Sequence, residues 1–202
     1  MNTAATGTAH PMGARYFERE ELASFGFRSL GRDVKISTRA SIYCPENIDL
    51  GDHVRIDDFS VIIATGPLQI GSYVSIPNFC ALGSRNGITL ADFVTFAPGV
   101  KIFSASDDYS GEHLTGVAVP AELTGGTAGP VHIGRHCIIG TGSAVLPALT
   151  IGEGCAIGAF SMVKGDLDPW GVYAGVPVRR IAERDRKLLD LAASIPEAMN
   201  KA

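Results

Sequence analysis

The chain has 202 residues, 46% of them apolar, which suffices for one domain with a full core. Its 17 Lys and Arg and 21 Asp and Glu leave a formal charge of −4, scattered without a basic run, which argues against a nucleic-acid partner. No apolar stretch reaches the ~18–20 residues that cross a bilayer, so no membrane partner is expected, and Cys44, Cys80, Cys137 and Cys155 show none of the spacings of a disulfide framework or zinc knuckle.

Residues 1–14, MNTAATGTAHPMGA, lack the charged and apolar regions of a secretory leader, so a flexible arm on a cytoplasmic protein is expected. In 15–29 the run RYFEREELASFGF places Phe17, Leu22 and Phe25 at helical spacing before Gly26, predicting a short helix that caps whatever follows.

From residue 30 the chain repeats. LGRDVK-ISTRAS, LGDHVR-IDDFSV, IGSYVS-IPNFCA and LADFVT-FAPGVK begin at 30, 50, 70 and 90, a period of 20. Beyond 132 an aliphatic residue returns every six positions at Ile133, Ile139, Val145, Ile151, Ile157 and Val163. A six-residue unit suits a short strand and a tight corner: the aliphatic side chain points inward, and a small or β-branched residue four positions later fills the corner. Val54, Ser60, Val74, Cys80, Val94, Cys137, Ser143, Cys155 and Ser161 occupy that second place. Three such sides make one coil, and stacking coils builds a continuous core. A helix fails here, since the period is not 3.6 and glycine recurs within the units. A parallel β-helix over 30–178 is therefore expected.

Between Ser104 and Pro130 the rhythm is lost in SASDDYSGEHLTGVAVPAELTGGTAGP, too long and too polar for an ordinary connector. It should project from the coil and carry function. The tail 179–202 contains RRIAERDRKLLDLAASI, with Ile181, Leu188, Ala192 and Ile195 at helical spacing before Pro196, and predicts a closing C-terminal helix packed against a neighbouring subunit.

The segment IGTGSAVLPALTIGEGCAIGAFSMVKGDLDPWGVYAGVPVRRI, residues 139–181, resembles the hexapeptide-repeat acetyltransferases, among them the galactoside, maltose and serine acetyltransferases. The resemblance implies a left-handed coil, a homotrimer, and coenzyme A in the cleft between adjacent β-helices. It implies Thr141, Gly142 and Ala159 along the pantetheine arm, with Lys164, Arg179 and Arg180 near the nucleotide phosphates. Open backbone amides and nearby cations suit such a ligand. EELASFGF, ISTRASIY, VRIDDF, SDDYSGEHLT and YAGVPVR are more similar still to the N-acyltransferases of nucleotide-linked 4-amino-4,6-dideoxy sugars, the viosamine and anthrose pathway type. That likeness implies an acetyl-CoA or other acyl-CoA donor, a dTDP-linked amino-sugar acceptor, no metal, and a product for O-antigen or other surface glycan.

One stretch departs from the wider family. The galactoside and maltose enzymes carry a histidine after the strand entering the loop, in a motif like IYTATHP; here the stretch reads IFSASDD, with Asp107 at the base position. A hydroxyl nucleophile needs a positioned base, whereas an amine of ordinary pKa near 8 keeps a neutral fraction at pH 7. The loss of that histidine favours an amino acceptor. Asp107, Asp108 and Tyr109 are candidates to hold the amine or sugar, and His113 is the alternative base, which would suit a sugar O-acetyltransferase. Ser84 and Asp92 are weaker candidates for proton handling, and Arg55, Arg85 and Lys101 for a pyrophosphate. His132 and His136, in VHIGRH, raise a zinc-dependent, carbonic-anhydrase-like trimer as a rival, although their spacing shares one face only on a helix. A purely structural solenoid is the remaining alternative.

Overall fold

The computed structural model describes residues 15–195. At its start lies α1, Arg19–Ser24, closed by a capping box between Glu18 and Glu21. Leu22 is fully buried against the first coil, and Phe25 meets Phe17 edge to face at 4.9 Å. The arm 1–14 lies outside the described residues.

Each coil then gives one short strand to each of three parallel sheets, the expected parallel β-helix. Sheet I runs from Ser29–Leu30 through Ile48–Leu50, Leu68–Ile70, Ile88–Leu90 and Val131–Ile133 to Leu149–Ile151. Sheet II starts at Lys35–Ile36 and sheet III at Ser41–Tyr43. Register follows the sequence repeat: Ile48 pairs with Leu68 and Leu68 with Ile88, then Ile88 crosses the 104–130 insertion to Val131.

Burial matches the periodicity residue by residue. Ile139, Val145, Ile151 and Val163 are wholly inaccessible, and Ile133 and Ile157 nearly so. The corner-filling side chains are buried too, and their small polar atoms have partners: Ser143 Oγ donates to the Gly158 carbonyl at 2.9 Å and Cys137 Sγ to the Gly152 carbonyl at 3.1 Å. Each therefore links its own coil to the next.

At the corner between sheets I and II the chain takes left-handed backbone angles at bulky residues, with φ between 56° and 62° for His53, Tyr73, Phe93 and His136. That conformation costs about 1–2 kcal/mol per L-residue. In-register stacking offsets it, since the rings form a column with centroids 4.7, 4.9 and 4.8 Å apart. In the next coil Gly154 leaves the room that the Trp170 ring fills.

The tail differs from expectation. Arg179 and Arg180 do not begin a helix: Val178–Glu183 is a strand that turns back antiparallel onto Gly171–Gly175 and closes sheet II. Pairing of Ala174 with Arg179 and of Gly175 with Val178 supplies hydrogen bonds that a helix starting there would forgo, and this long-range partner outweighs the helical spacing. Arg184 Nη1 then donates to the carbonyls of His136 at 2.6 Å and Gly154 at 3.1 Å, fixing the tail to the stacked corners. The helix is confined to α2, Leu188–Ala193, and none of its residues is buried.

Candidate active site

The long insertion leaves the solenoid at the corner between sheets III and I. Its base is held by Ser104, whose buried hydroxyl accepts the amides of Arg85 at 2.9 Å and Asn86 at 2.8 Å and donates to the Gly83 carbonyl at 3.2 Å. Ala105–Asp107 then pairs antiparallel with Gly126–Ala128, so the loop rises on a two-stranded ribbon. Gly126 has to be glycine: its φ is +146°, and a Cβ there would lie 2.0 Å from the Ser106 carbonyl oxygen.

Above the ribbon Asp108 organises the turn. Oδ1 accepts Ser110 N and Ser110 Oγ, both at 2.7 Å; Oδ2 accepts His113 N at 2.8 Å and stands 3.2 Å from His113 Nδ1. Donors from Ser110, then from His113, hold the Asp108 carboxyl well below the usual carboxylate range. The His113 ring lies on the backbone of Gly125, where a Cβ would be 2.5 Å from Cγ and Nδ1.

The loop thereby closes one side of an open groove of about 770 Å³. Asp107, Asp108, Tyr109 and His113 face it from the loop, while Leu146, Pro147, Met162 and Lys164 form the opposite wall. Asp107, Tyr109 and Lys164 are exposed. The wall residues carry no chemical motif. Their signal was the register of the six-residue units, which stacks 146–147 and 164 beneath the corner from which the loop emerges.

Thr141, Gly142 and Ala159 stand at the other end of the short sheet III strands Ala144–Val145 and Met162–Val163, at the corner between sheets II and III. Phe160 N donates to the Thr141 carbonyl at 2.7 Å. Residues 142 and 146 are separated by roughly 13 Å along the strand at ~3.3 Å per residue, so a long thin ligand can lie at one end and reach the groove at the other. Arg179 and Arg180 are exposed on the terminal strand, with Arg180 Nη2 paired to Glu183 Oε1.

Other sequence candidates lie outside the groove lining. Ser84 is wholly buried and donates to the Pro67 carbonyl, while Arg85 is exposed at the same corner as the loop. Asp92 belongs to the corner between sheets I and II, where Oδ1 accepts Ser72 N at 2.8 Å and Oδ2 is 3.8 Å from Arg135 Nε. Arg55 bonds Asp57 at 2.7 Å and lies over the Tyr16 ring, and Lys101 Nζ donates to the Gly99 carbonyl at 3.1 Å. His136 is buried in the aromatic column while His132 points outward from sheet I, as expected for corner and strand positions in a coil. Among the described residues no group of three or more His, Cys, Asp or Glu side chains is placed to hold a metal ion. No helix there is long and apolar enough to cross a membrane.

Comparison with known proteins gives this geometry a context. Residues 130–165 match the family described as bacterial transferase hexapeptide (six repeats). Over 177 residues the chain is 41% identical to dTDP-4-amino-4,6-dideoxy-D-glucose acyltransferase from Escherichia coli, spanning 87% of this chain and 92% of that one. It superposes with a TM-score of 0.89 at 42% identity on AntD, an N-acyltransferase from Bacillus cereus, in complex with dTDP and 3-hydroxybutyryl-CoA, covering 94% of this chain and 100% of that one. A point mutant of AntD in complex with dTDP-4-amino-4,6-dideoxyglucose and coenzyme A gives 0.88 at 42% identity, covering 93% and 100%.

Proposed function

The chain belongs to the hexapeptide-repeat acyltransferases of the dTDP-4-amino-4,6-dideoxy-D-glucose acyltransferase type, and from that premise we propose that it moves an acyl group from acyl-CoA to the amine of a nucleotide-linked amino-deoxy sugar. The observation that carries the reading is the groove between the SDDYSG loop and the last coils. It joins a loop bearing carboxylates for an amine to a wall ending in Lys164, in a chain similar over nearly its whole length to enzymes of that reaction.

The acyl-CoA lies along Thr141, Gly142 and Ala159, with Lys164, Arg179 and Arg180 toward its phosphates. Arg85 meets the sugar nucleotide's pyrophosphate from the base of the loop, and Asp107 and Tyr109 orient the sugar. The neutral amine attacks the thioester carbonyl, a C–N bond forms, the C–S bond breaks, and coenzyme A leaves as its thiol. Backbone amides stabilise the oxyanion, as preorganised dipoles do.

The working form is a homotrimer. Support comes from the outer face of sheet III, where Tyr43, Ile63 and Phe103 share one column and are 55%, 44% and 39% exposed, beside the stacked Phe59 and Phe79. An apolar face of that kind suits burial against a second copy. The enzyme acts in the cytoplasm, and its product serves a surface glycan.

Matched assays test the reading: dTDP-4-amino-4,6-dideoxyglucose and its 4-hydroxyl counterpart are each incubated with acetyl-CoA and 3-hydroxybutyryl-CoA, and thiol release is followed. Turnover confined to the amine supports it. Equal or preferred turnover of the hydroxyl sugar would replace it with O-acyl transfer.

A further inference from the structure

Resting on that reading, we propose that Arg184 is a positioning residue for the acyl donor: it fixes the strand that presents Arg179 and Arg180 to the phosphates of acyl-CoA. Three successive coils turn from sheet I to sheet II through residues in the left-handed region, His136, Gly154 and Trp170, with φ of 61°, 70° and 60°. Arg184 touches the carbonyl of each. Its backbone N–H donates to Trp170 O at 2.8 Å, and Nη1 is shared among His136 O at 2.6 Å, Gly154 O at 3.1 Å and Cys155 O at 3.3 Å. One half-buried arginine thus ties the end of the strand Val178–Glu183 to three coils.

The register of that strand gives the anchor its use. Gly175 pairs with Val178, Ala174 with Arg179 and Tyr173 with Arg180, but Val172 then pairs with Ala182 and Gly171 with Glu183. Ile181 is therefore the extra residue of a β-bulge. A bulge re-aims the side chain beside it, and here that side chain is Arg180. If the bulge moves by one residue, each side chain it passes turns to the other face of the strand. The tight turn between Gly175 and Val178 holds the strand on one side of the bulge, and Arg184 holds it on the other.

The ion pair of Arg180 with Glu183, 2.5 Å, reaches across the same bulge. Both partners are exposed, so an arriving phosphate can compete for the guanidinium. It gains most when that guanidinium is already aimed, because charge-assisted bonds from arginine depend on direction as well as distance. Arg184 has its own donors on carbonyls and acts through the strand. Arg186 makes a natural control: it lies over the Trp170 ring at 5.0 Å, at the same corner.

The test uses the full-length protein with dTDP-4-amino-4,6-dideoxyglucose and two donors, acetyl-CoA and S-acetylpantetheine, which lacks the nucleotide and its phosphates. Arg184→Ala should raise KM for acetyl-CoA about tenfold, the scale of one charged hydrogen bond. KM for S-acetylpantetheine and for the amino sugar should stay within about twofold of wild type. Arg186→Ala should leave the acetyl-CoA KM unchanged. Adding Arg184→Ala to an Arg179→Ala, Arg180→Ala background should raise it no further, because nothing is left to position. Arg184→Lys keeps the cation and loses the fork; it should show the same donor-selective rise at a few-fold, and it carries the test if Arg184→Ala does not fold. An equal rise for both donors, the same rise in Arg186→Ala, or an acetyl-CoA KM within twofold of wild type in both Arg184 variants overturns the proposal. Equal wild-type KM values for the two donors overturn it too while leaving acyl transfer standing. No acyl transfer to the amino sugar by the wild-type protein would instead fell the parent reading, and this one with it.

Discussion

The ring of Phe160 lies over Gly142: with φ at +68°, Gly142 could not carry a methyl group without bringing it within 2.7 Å of Phe160 Cε1. The two stand one coil apart at the corner that precedes the groove, and the Phe160 side chain is largely exposed. Gly142→Ala should therefore lower the urea midpoint through backbone strain of about 1–2 kcal/mol, and raise KM for acyl-CoA several-fold with a smaller change in kcat. Phe160→Ala in the same background should restore part of the stability by freeing the space. An unchanged KM in Gly142→Ala would separate this corner from donor binding.

Lys164 is the exposed cation on the solenoid wall of the groove. Charge-assisted hydrogen bonds to an anion contribute about 1.5–3 kcal/mol, so Lys164→Ala should raise the Kd for coenzyme A about tenfold or more. Salt should weaken binding to the wild type more steeply than to the variant. Calorimetry at two ionic strengths reads both effects.

Asp107→Asn keeps the size of the side chain and removes its charge. If Asp107 orients the amine, KM for the amino sugar should rise about tenfold while kcat changes little. Steady-state kinetics on Asp107→Asn decides it.

His136 carries a pH signature of the fold. Burial in the aromatic column, aided by the neighbouring Arg135, pushes its pKa below the usual histidine value. The folded protein therefore favours the neutral ring. This stability is complete above the unfolded pKa of about 6.5 and is lost as pH falls below it toward the folded value. His136→Phe keeps the stack, and Phe93 shows that phenylalanine is accommodated at a φ of 62° in the same column. The variant should lose less thermal stability than wild type between pH 7 and 5; a parallel decline would assign the acid sensitivity elsewhere.

Ile139, fully buried in sheet II and paired with Phe96 and Ile157, should cost about 2–5 kcal/mol as Ile139→Ala, as deletion from a tight core does. Neighbouring coils leave little room for collapse, so the loss should appear in the urea midpoint without a large change in slope.

The amino-acid sequence by itself determined the coil. Inward side chains recurring every six residues are a local rule repeated many times, and the coil buries Ile133, Ile139, Val145, Ile151, Ile157 and Val163 together. The insertion was equally legible, because a break in so regular a period has no local explanation. What lies opposite the loop was not: Leu146, Pro147 and Met162 became groove residues only because stacking sets them under it. The tail was misread for the same reason. Its helical spacing is local, whereas the pairing of Arg179 with Ala174 needs a turn and a waiting sheet edge. The Asp108–His113 contact likewise joins residues five apart in a stretch without periodicity, and three-dimensional hydrogen bonding alone chose which carboxylate would face the ring. Periodic patterns encode the scaffold because every unit has the same neighbours; the site arises where the pattern stops, and there only the folded chain decides which groups meet.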